Sequence, residues 1–412
     1  MRHTLAYLSP LFIGVVWMAA CSLLVDPTGR PREGESQCGN TDPSGPDCSW
    51  YDLSWQYRKE ITISAGMVSV DQTFFPFLLH HPTDSDLSAR ARSDGFDILF
   101  TEADGLSKLD HEIEDFSPGT GELVVWIAIP FLSSSIDTSL FLYYGNGSAT
   151  NQENPAAVWD DNYLAVYHLN ESPANGVSGH DDSSGNPNDA RPQGFDATTE
   201  STTAGIGLIN GAVKFDGIDD SVIVPDSSAW ALVPSASYTW SLWIKPDDLT
   251  ASFRSVWRQA NADDRGVGIC PHSTKNDNMG PVTNGVSVGW DESASQKLGV
   301  HSTNDALVVG RWQHVAVTYN GSAPPWGRFS IYVDGADVTD WDDVNVYGSM
   351  DGVDPTSIAM GGDPQTSSNH FDGVLDEVRI SSTVRSRDWL VTSIVNQADP
   401  SMWVTVGPEV QR

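Results

Sequence analysis

The sequence predicts an all-β protein built of two consecutive β-sandwich modules, with one short helix near its C-terminal end. Three observations carry this. Apolar and polar residues alternate in short runs from residue 57 onwards, 36 Gly and 24 Pro punctuate those runs, and long stretches of strong helix formers are few. A length of 412 residues leaves room for two domains or one large β domain, at about 150 residues per domain. With 39% hydrophobic, 10% aromatic and 19% charged residues, the chain is not a disordered acidic tail. Its 55 Asp and Glu against 22 Lys and Arg leave a net charge of −33, which repels phosphate backbones, so no nucleic-acid partner is expected.

At the start, Arg2 precedes the mostly apolar run Leu5–Met18, and Met18-Ala19-Ala20-Cys21 follows. That is the layout of a secretory signal with a small-residue cleavage site, too short for a membrane span. A Cys directly after small residues resembles the lipobox of bacterial lipoproteins, although Met18 stands where that family has Leu or another aliphatic residue. The resemblance implies a signal peptide over residues 1–20 and lipidation of Cys21; ordinary cleavage nearby is the alternative. Ser22 after the Cys is similar to lipoproteins of enteric bacteria that reside in the outer membrane. The expected location is therefore the bacterial cell envelope, at the outer membrane or cell surface, with membrane contact only through the lipid anchor.

Residues 21–49 are rich in Pro, Gly and Ser and lack periodicity, as a flexible tether does. Cys38 and Cys48 lie within it and are expected to pair in an oxidising envelope. A metal site there is the weaker reading, because no His or second Cys pair accompanies them. Cys270 is left over as a buried or half-buried thiol.

The first module spans residues 50–157. Tyr57, Ile61 and Ile63 fall on one strand face, as do Phe96, Ile98 and Phe100, and Leu123, Val125, Ile127 and Ile129; Ser139–Gly145 closes the module. Alternation of this kind argues a sandwich with one wet face per sheet. The segments Trp55–Ile63, Asp94–Thr101, His111–Glu114, Val125-Trp126 and Leu142–Asn146 resemble, in that order, domain-of-unknown-function family 2341. That family occurs in secreted and surface-attached bacterial proteins and implies no chemistry.

The second module spans residues 158–407. Tyr238–Ile244, Val315–Tyr319 and Phe329–Val333 alternate, and Asp334-Gly335 offers a tight hairpin turn. Ala165–Leu169, Asp182–Gly185, Val213–Gly217, Trp312–Ala316, Tyr332–Gly335 and Phe371–Ile380 resemble a laminin-G-like, concanavalin A-like lectin/glucanase jelly roll. Near the end, Ser386 can cap a helix on which Trp389, Leu390, Ile394 and Val395 recur at helical spacing.

Signals for catalysis are weak. Gly285-Val-Ser287-Val-Gly289 matches the nucleophile-elbow pattern, but that pattern needs a strand–turn–helix context, and its flanks here alternate as strand. Glu112 and Glu114 share a strand face in the way the paired carboxylates of jelly-roll glucanases do. Phe116 takes the third carboxylate's place, and the pair lies outside the jelly roll. No catalytic residue is assigned and no enzyme is expected.

The best chemical signal concerns calcium. A period of two over Phe371–Ile380 puts Val374, Asp376, Val378 and Ile380 on one face and Arg379 on the other. A carboxylate on an apolar face needs a cation, an ion-pair partner or several backbone N–H groups. Calcium takes six to eight oxygens from such loops as Asp181–Ser183 and Asp216–Asp220. The laminin-G resemblance implies Asp182, Asp216 and Asp376 as ligands of a structural calcium ion. The alternative is that Asp376 accepts backbone hydrogen bonds and the other two make turns.

Of the 15 Trp, Trp240 reads as core, whereas Trp257, Trp290 and Trp326 lie near turn-rich or polar stretches and are the candidate sugar-stacking platforms. Core or rim packing is the alternative for each. Together these features predict a non-catalytic surface lipoprotein that binds a glycan or another extracellular polymer. An envelope structural or adhesion protein with a protein ligand is the alternative, and a glycoside hydrolase the third reading.

Overall fold

The structure is a computed structural model describing residues 49–412 except 174–178, 196–206, 226–229, 251–253, 262–265, 274–281, 294–295, 348–351, 353–354 and 364–368. Cys21, Cys38 and Cys48 lie outside the described residues. No helix among the described residues is long and apolar enough to cross a membrane.

The first sandwich begins with β1 (Tyr57–Ile63), β2 (Gln72–His81), the short helix α1 (Ser85–Arg90), β3 (Leu99–Glu102), β4 (Lys108–Leu109), β5 (His111–Ser117), β6 (Glu122–Leu132) and β7 (Thr138–Tyr144). One of its sheets runs β2-β6-β5, while β1, β7, β3 and β4 belong to the other. Between them lie Ile61, Phe100, Leu140 and Leu142 with Phe77, Leu79, Val125 and Ile127. Two of the segments that resemble family 2341 meet here. Asp97 is buried and accepts the N–H groups of Gly145 and Asn146 at 2.7 and 2.9 Å, which fixes the end of β7. Phe96 departs from expectation: it precedes β3 in a turn and is exposed, so only Ile98 and Phe100 point inward.

The second sandwich comprises β8 (Tyr163–Tyr167), β9 (Arg191–Gln193), β10 (Val213–Asp216), β11 (Ser221–Val224), β12 (Ser237–Pro246), β13 (Trp257–Ala260), β14 (Gly266–Ser273) and β15 (Val282–Ser293). It continues with β16 (Gln296–Ser302), β17 (Gln313–Asn320), β18 (Phe329–Val333), β19 (Ala336–Asp337), β20 (Thr339–Tyr347), β21 (Ser357–Met360) and β22 (Asp372–Ser381). An antiparallel sheet ordered β10-β22-β12-β17-β18-β19, with β8 also on β22, packs on one ordered β20-β16-β15-β14-β13-β21-β11-β9. This is the jelly roll, and its core holds Trp240, Leu242, Val317, Ile331 and Leu375. Asp334 and Gly335 both take left-handed backbone angles, +49° and +75°, which a two-residue hairpin turn requires. Ser287 sits inside β15, not at a strand-to-helix turn.

The modules are fused. Helix α2 (Arg387–Ala398) begins where expected, with Ser386 accepting the Trp389 N–H. The chain then returns to the first sandwich, where β23 (Val404–Val406) and β24 (Val410–Gln411) pair with β1 and complete its sheet. The C-terminal strands thus belong to the first sandwich, which corrects the expected second-module end at residue 407. The wet face expected for each sheet of the first module is also corrected, since Leu78, Val124 and Trp126, on the outer face of the β2–β6 pair, are buried. Trp243 and Ala316, on the outer face of the β12–β17 pair, share one hydrophobic core with Trp389 and Leu390 of α2 and with Phe75 of β2. Sheets buried on both sides read as continuous apolar runs, as Phe75–Leu79 and Leu123–Ile129 do.

Two amides of α2 tie the halves together. The Asn396 side chain accepts the Leu78 N–H at 2.8 Å and donates to the Leu78 carbonyl at 3.0 Å. The next residue, Gln397, accepts the Trp243 indole N–H at 2.6 Å. Asn396→Ala leaves two buried backbone groups unpaired and is expected to cost about 2–4 kcal/mol in urea denaturation; a loss below about 0.5 kcal/mol would contradict this role.

Candidate functional site

A dense cluster of ionisable side chains is buried between the two sandwiches. It starts from β5, where Glu112 and Glu114 both reach the cluster, although a register shift between Ile113 and Asp115 breaks the alternation at Glu114 and pairs Phe116 with Leu123. Trp126 of β6 stands beside them, opposite Glu112. From the second sandwich come His168, directly after β8, and Glu377 and Arg379 of β22.

A bulge in β22 aims the last two. Trp243 pairs with Asp376 and Ser241 with Arg379, so one extra residue lies between these rungs on β22. Glu377 accordingly has φ +53°, the left-handed region that a bulge needs and that a residue with a Cβ seldom adopts. The extra residue reverses the face assignment. Leu375, Val378 and Ile380 enter the jelly-roll core, whereas Asp376 and Arg379 turn to the other side. The expectation that Asp376 shares the face of Val378 and Ile380, with Arg379 opposite, is therefore corrected.

His168 Nδ1 lies 2.7 Å from Glu377 Oε1, and its Nε2 lies 3.4 Å from Glu112 Oε2. Arg379 makes a close ion pair with Glu377. Its guanidinium lies over the rings of Trp126 and Trp159, at 4.4 and 4.7 Å from their centroids. Trp159 donates to Glu112 at 3.0 Å and the Ser183 hydroxyl at 2.5 Å, and Trp126 donates to Glu114 at 2.9 Å. Glu114, Glu377 and Arg379 are essentially sealed from solvent.

Burial acts on every member, and neighbouring charge decides its state. For Glu112, burial raises the pKa, but His168, Ser183 and Trp159 outweigh it and hold the carboxyl below its ordinary range. Glu377 is likewise lowered, because His168 and Arg379 outweigh its burial. Burial disfavours the His168 charge, yet Glu377 and Glu112 raise it well above the ordinary imidazole range. Glu114 is pushed up to about 7 by burial and by the charges of Glu377 and Glu112, with His168 and Trp126 opposing. Burial and the adjacent Glu377 raise Asp376 well above the usual carboxylate range. Charge is thus met in pairs, with Glu112 and Glu377 facing His168 and Arg379, while burial favours the protonated forms of Glu114 and Asp376.

The expected calcium ligands do not come together. Asp376 accepts the Leu208 and Ile209 N–H groups at 2.8 and 3.1 Å, the alternative that the sequence left open. Asp182 accepts the N–H groups of Val166 and Ser184, both at 2.9 Å. Asp216 lies in its own loop, where it accepts the Ile218 N–H and sits with Asp219 and Asp220, carboxylate oxygens within 4.8 Å of one another. The trio Asp182, Asp216 and Asp376 does not fit one ion. Of the aromatic candidates, Trp257 and Trp290 are 1% and 0% exposed and belong to the jelly-roll core, so neither offers a face to a sugar; this corrects the expectation. Trp326 is 65% exposed on the turn between β17 and β18. Cys270 is half-buried, its sulfur 3.6 Å from the Ser255 hydroxyl.

His168, Glu377 and Arg379 escaped the sequence reading. An isolated His carries no signal of its own, and the bulge that turns Arg379 inward has no glycine to announce it.

Residues 94–189 match the family model of domain-of-unknown-function family 2341, and residues 216–390 that of the concanavalin A-like lectin/glucanases superfamily. The chain thus carries the two domains in that order. Glu112, Glu114, Trp126, Trp159, His168 and Ser183 fall in the first match and Glu377 and Arg379 in the second, so the buried cluster is the seam between them. No curated protein matches the chain. Among solved structures it is similar to domain 4 of AbnA, a GH43 extracellular arabinanase from Geobacillus stearothermophilus, with 20% identity over 57% of this chain and 98% of that one, TM-score 0.37. The binding domain of Paraclostridial Mosquitocidal Protein 1 is similar with 15% identity over 57% of this chain and 52% of that one, TM-score 0.40. The receptor binding domain of botulinum neurotoxin D shows 16% identity over 57% and 53%, TM-score 0.38. The chain spans about half the length of these two toxin domains.

The electrostatics set the direction of a pH effect. Glu114 keeps its proton in the folded protein up to about pH 7, whereas the unfolded chain releases it near the ordinary 4.5. Stability held through this proton is present at low pH and is lost as pH rises through that window, by about 1–3 kcal/mol. His168, also raised, adds a loss at higher pH. Urea denaturation at pH 5 and pH 8 is expected to show a smaller pH-dependent loss for Glu114→Gln than for the natural chain; equal losses would contradict the assignment.

Proposed function

We propose that this chain is a non-catalytic, surface-attached binding protein whose jelly roll takes a glycan or another extracellular polymer, with Trp326 as the stacking platform. The observation that carries this reading is the exposure of one large aromatic ring on a braced turn. Pro324 and Pro325 precede Trp326, and Arg328 just after it donates to the Ala323 carbonyl and to the Tyr319 hydroxyl, at 3.2 and 3.1 Å. A broad ring held this way suits the C–H face of a sugar at low entropic cost. The carboxylates nearest to a glucanase pattern, Glu112 and Glu114, are committed to the buried cluster, which supports binding over hydrolysis.

The same reading includes a lipid anchor on Cys21, with residues 21–49 as tether and the bacterial outer membrane or cell surface as location. A structural calcium ion remains part of it only at the Asp216 loop, with Asp219 and Asp220 in place of Asp182 and Asp376.

Extracellular polysaccharides titrated into the protein are expected to quench or shift its tryptophan fluorescence, and Trp326→Ala should abolish the change while leaving the melting temperature in place. No polysaccharide binding, or binding untouched by that substitution, would contradict the assignment. Cys21→Ser should release the protein from membranes, and continued retention would contradict the anchor. Calcium in excess over chelator should raise the melting temperature, with Asp216→Ala removing the shift; an unchanged melting temperature argues against the ion.

A further inference from the structure

Three side chains of the buried seam each have one polar atom held from outside and a second left to take a ligand. Trp126 donates to Glu114 Oε2, whereas Glu114 Oε1 is buried and finds no hydrogen-bond partner among the described residues. Arg379 holds Glu377 Oε2, which leaves Glu377 Oε1 facing His168 Nδ1 at 2.7 Å. The other ring nitrogen, Nε2, lies 3.4 Å from Glu112 Oε2. One such atom from each of Glu114, His168 and Glu377 lies within 4.8 Å of the other two.

These atoms form a donor set for a metal ion. A carboxylate oxygen sealed from water without a donor is costly, and a cation meets its need as well as an N–H group does. Two carboxylates and one imidazole suit zinc and its first-row neighbours, whereas calcium takes six to eight oxygens. Donors about 2.0–2.1 Å from a tetrahedral zinc stand about 3.3 Å apart. His168 Nδ1 lies 2.7 Å from Glu377 Oε1 and 3.7 Å from Glu114 Oε2, distances on either side of that value. The surrounding contacts fit as well. With Nδ1 on a metal, the ring proton sits on Nε2 and faces Glu112, the way a carboxylate orients a metal-bound imidazole. Glu112 is itself fixed by Trp159 and Ser183. Arg379 opposes a cation by its charge, but it meets Glu377 at the far oxygen and lays its guanidinium on Trp126 and Trp159.

We propose that Glu114, His168 and Glu377 bind one divalent transition-metal ion, which ties β5 of the first sandwich to the end of β8 and to β22 of the second. A water completes the shell of a tetrahedral ion. Ligation needs a neutral imidazole and ionised carboxylates, so protons leave as the metal enters. One proton from His168 and one from Glu114, exchanged for a divalent ion, leave the net charge of the seam unchanged. The site is separate from the Asp216 loop and from the Trp326 turn, and does not depend on the glycan reading.

Zinc is the probe, because affinity rises along the first-row divalent ions towards copper and zinc. The whole chain, stripped by chelator in urea and refolded with zinc, is desalted and its metal counted by plasma emission. One zinc per chain is expected, with a melting temperature above that of the stripped chain. Glu114→Gln keeps an acceptor for Trp126 but loses the anionic oxygen, and should weaken zinc binding about tenfold or more with an unchanged circular dichroism spectrum. Asp216→Ala and Trp326→Ala should keep the ion in full. X-ray absorption of the zinc-loaded natural chain, which needs no variant, should show nitrogen and oxygen alone at about 2.0–2.1 Å, with a single imidazole. No bound zinc, full binding by Glu114→Gln, displacement of zinc by equimolar calcium, or a shell with sulfur or several imidazoles would overturn the proposal.

Discussion

Six ionisable side chains are taken out of water between two β sandwiches, and the rest of the architecture is arranged so that they can be. A buried ion is costly unless its charge is met and its hydrogen-bonding atoms find partners. Here Glu377 stands between His168 and Arg379, Glu112 meets the other edge of the imidazole, and burial favours the protonated forms of Glu114 and Asp376. The tryptophans at positions 126 and 159 close the cluster with their ring faces toward Arg379 and their N–H groups toward the two glutamates. Removing one member leaves its partner buried and uncompensated, which is far more costly than never having had the pair. The cluster therefore holds the modules in one relative arrangement and penalises any other.

Helix α2 and the return of the chain to β1 serve the same end. The helix supplies the apolar filling beside the charged cluster and the two amides that reach into both halves. The final strands, which follow the second sandwich in sequence, close the first. Neither match to a family model extends to these strands, yet β1 pairs with them along its length. Two domains that look consecutive in the sequence thus form one unit with a shared core.

Much of this was legible from residue order. Period-two runs place β1, β6, β12 and β17, Asp334-Gly335 marks its hairpin, and Ser386 marks the start of α2. The pairing of Glu112 with Glu114 was also visible, but not the surface that they meet, because that surface comes from β22 more than 250 residues later. The left-handed Glu377 was hidden, since a bulge usually advertises itself with glycine, and missing it put Asp376 on the wrong face. Trp257 and Trp290 were misplaced for a different reason: polar and turn-forming neighbours in sequence do not decide burial when a strand faces a second sheet.

A binding role rests on what remains accessible once the seam is closed. Glu112 and Glu114 are committed to the seam, whereas the Trp326 ring stays exposed. A shared core and a buried charged seam require the two sandwiches to unfold as one unit. Differential scanning calorimetry of the whole chain at pH 6 tests it most directly. One cooperative transition, with equal calorimetric and van't Hoff enthalpies, is the predicted result. Two resolved transitions, one for each sandwich, would contradict it.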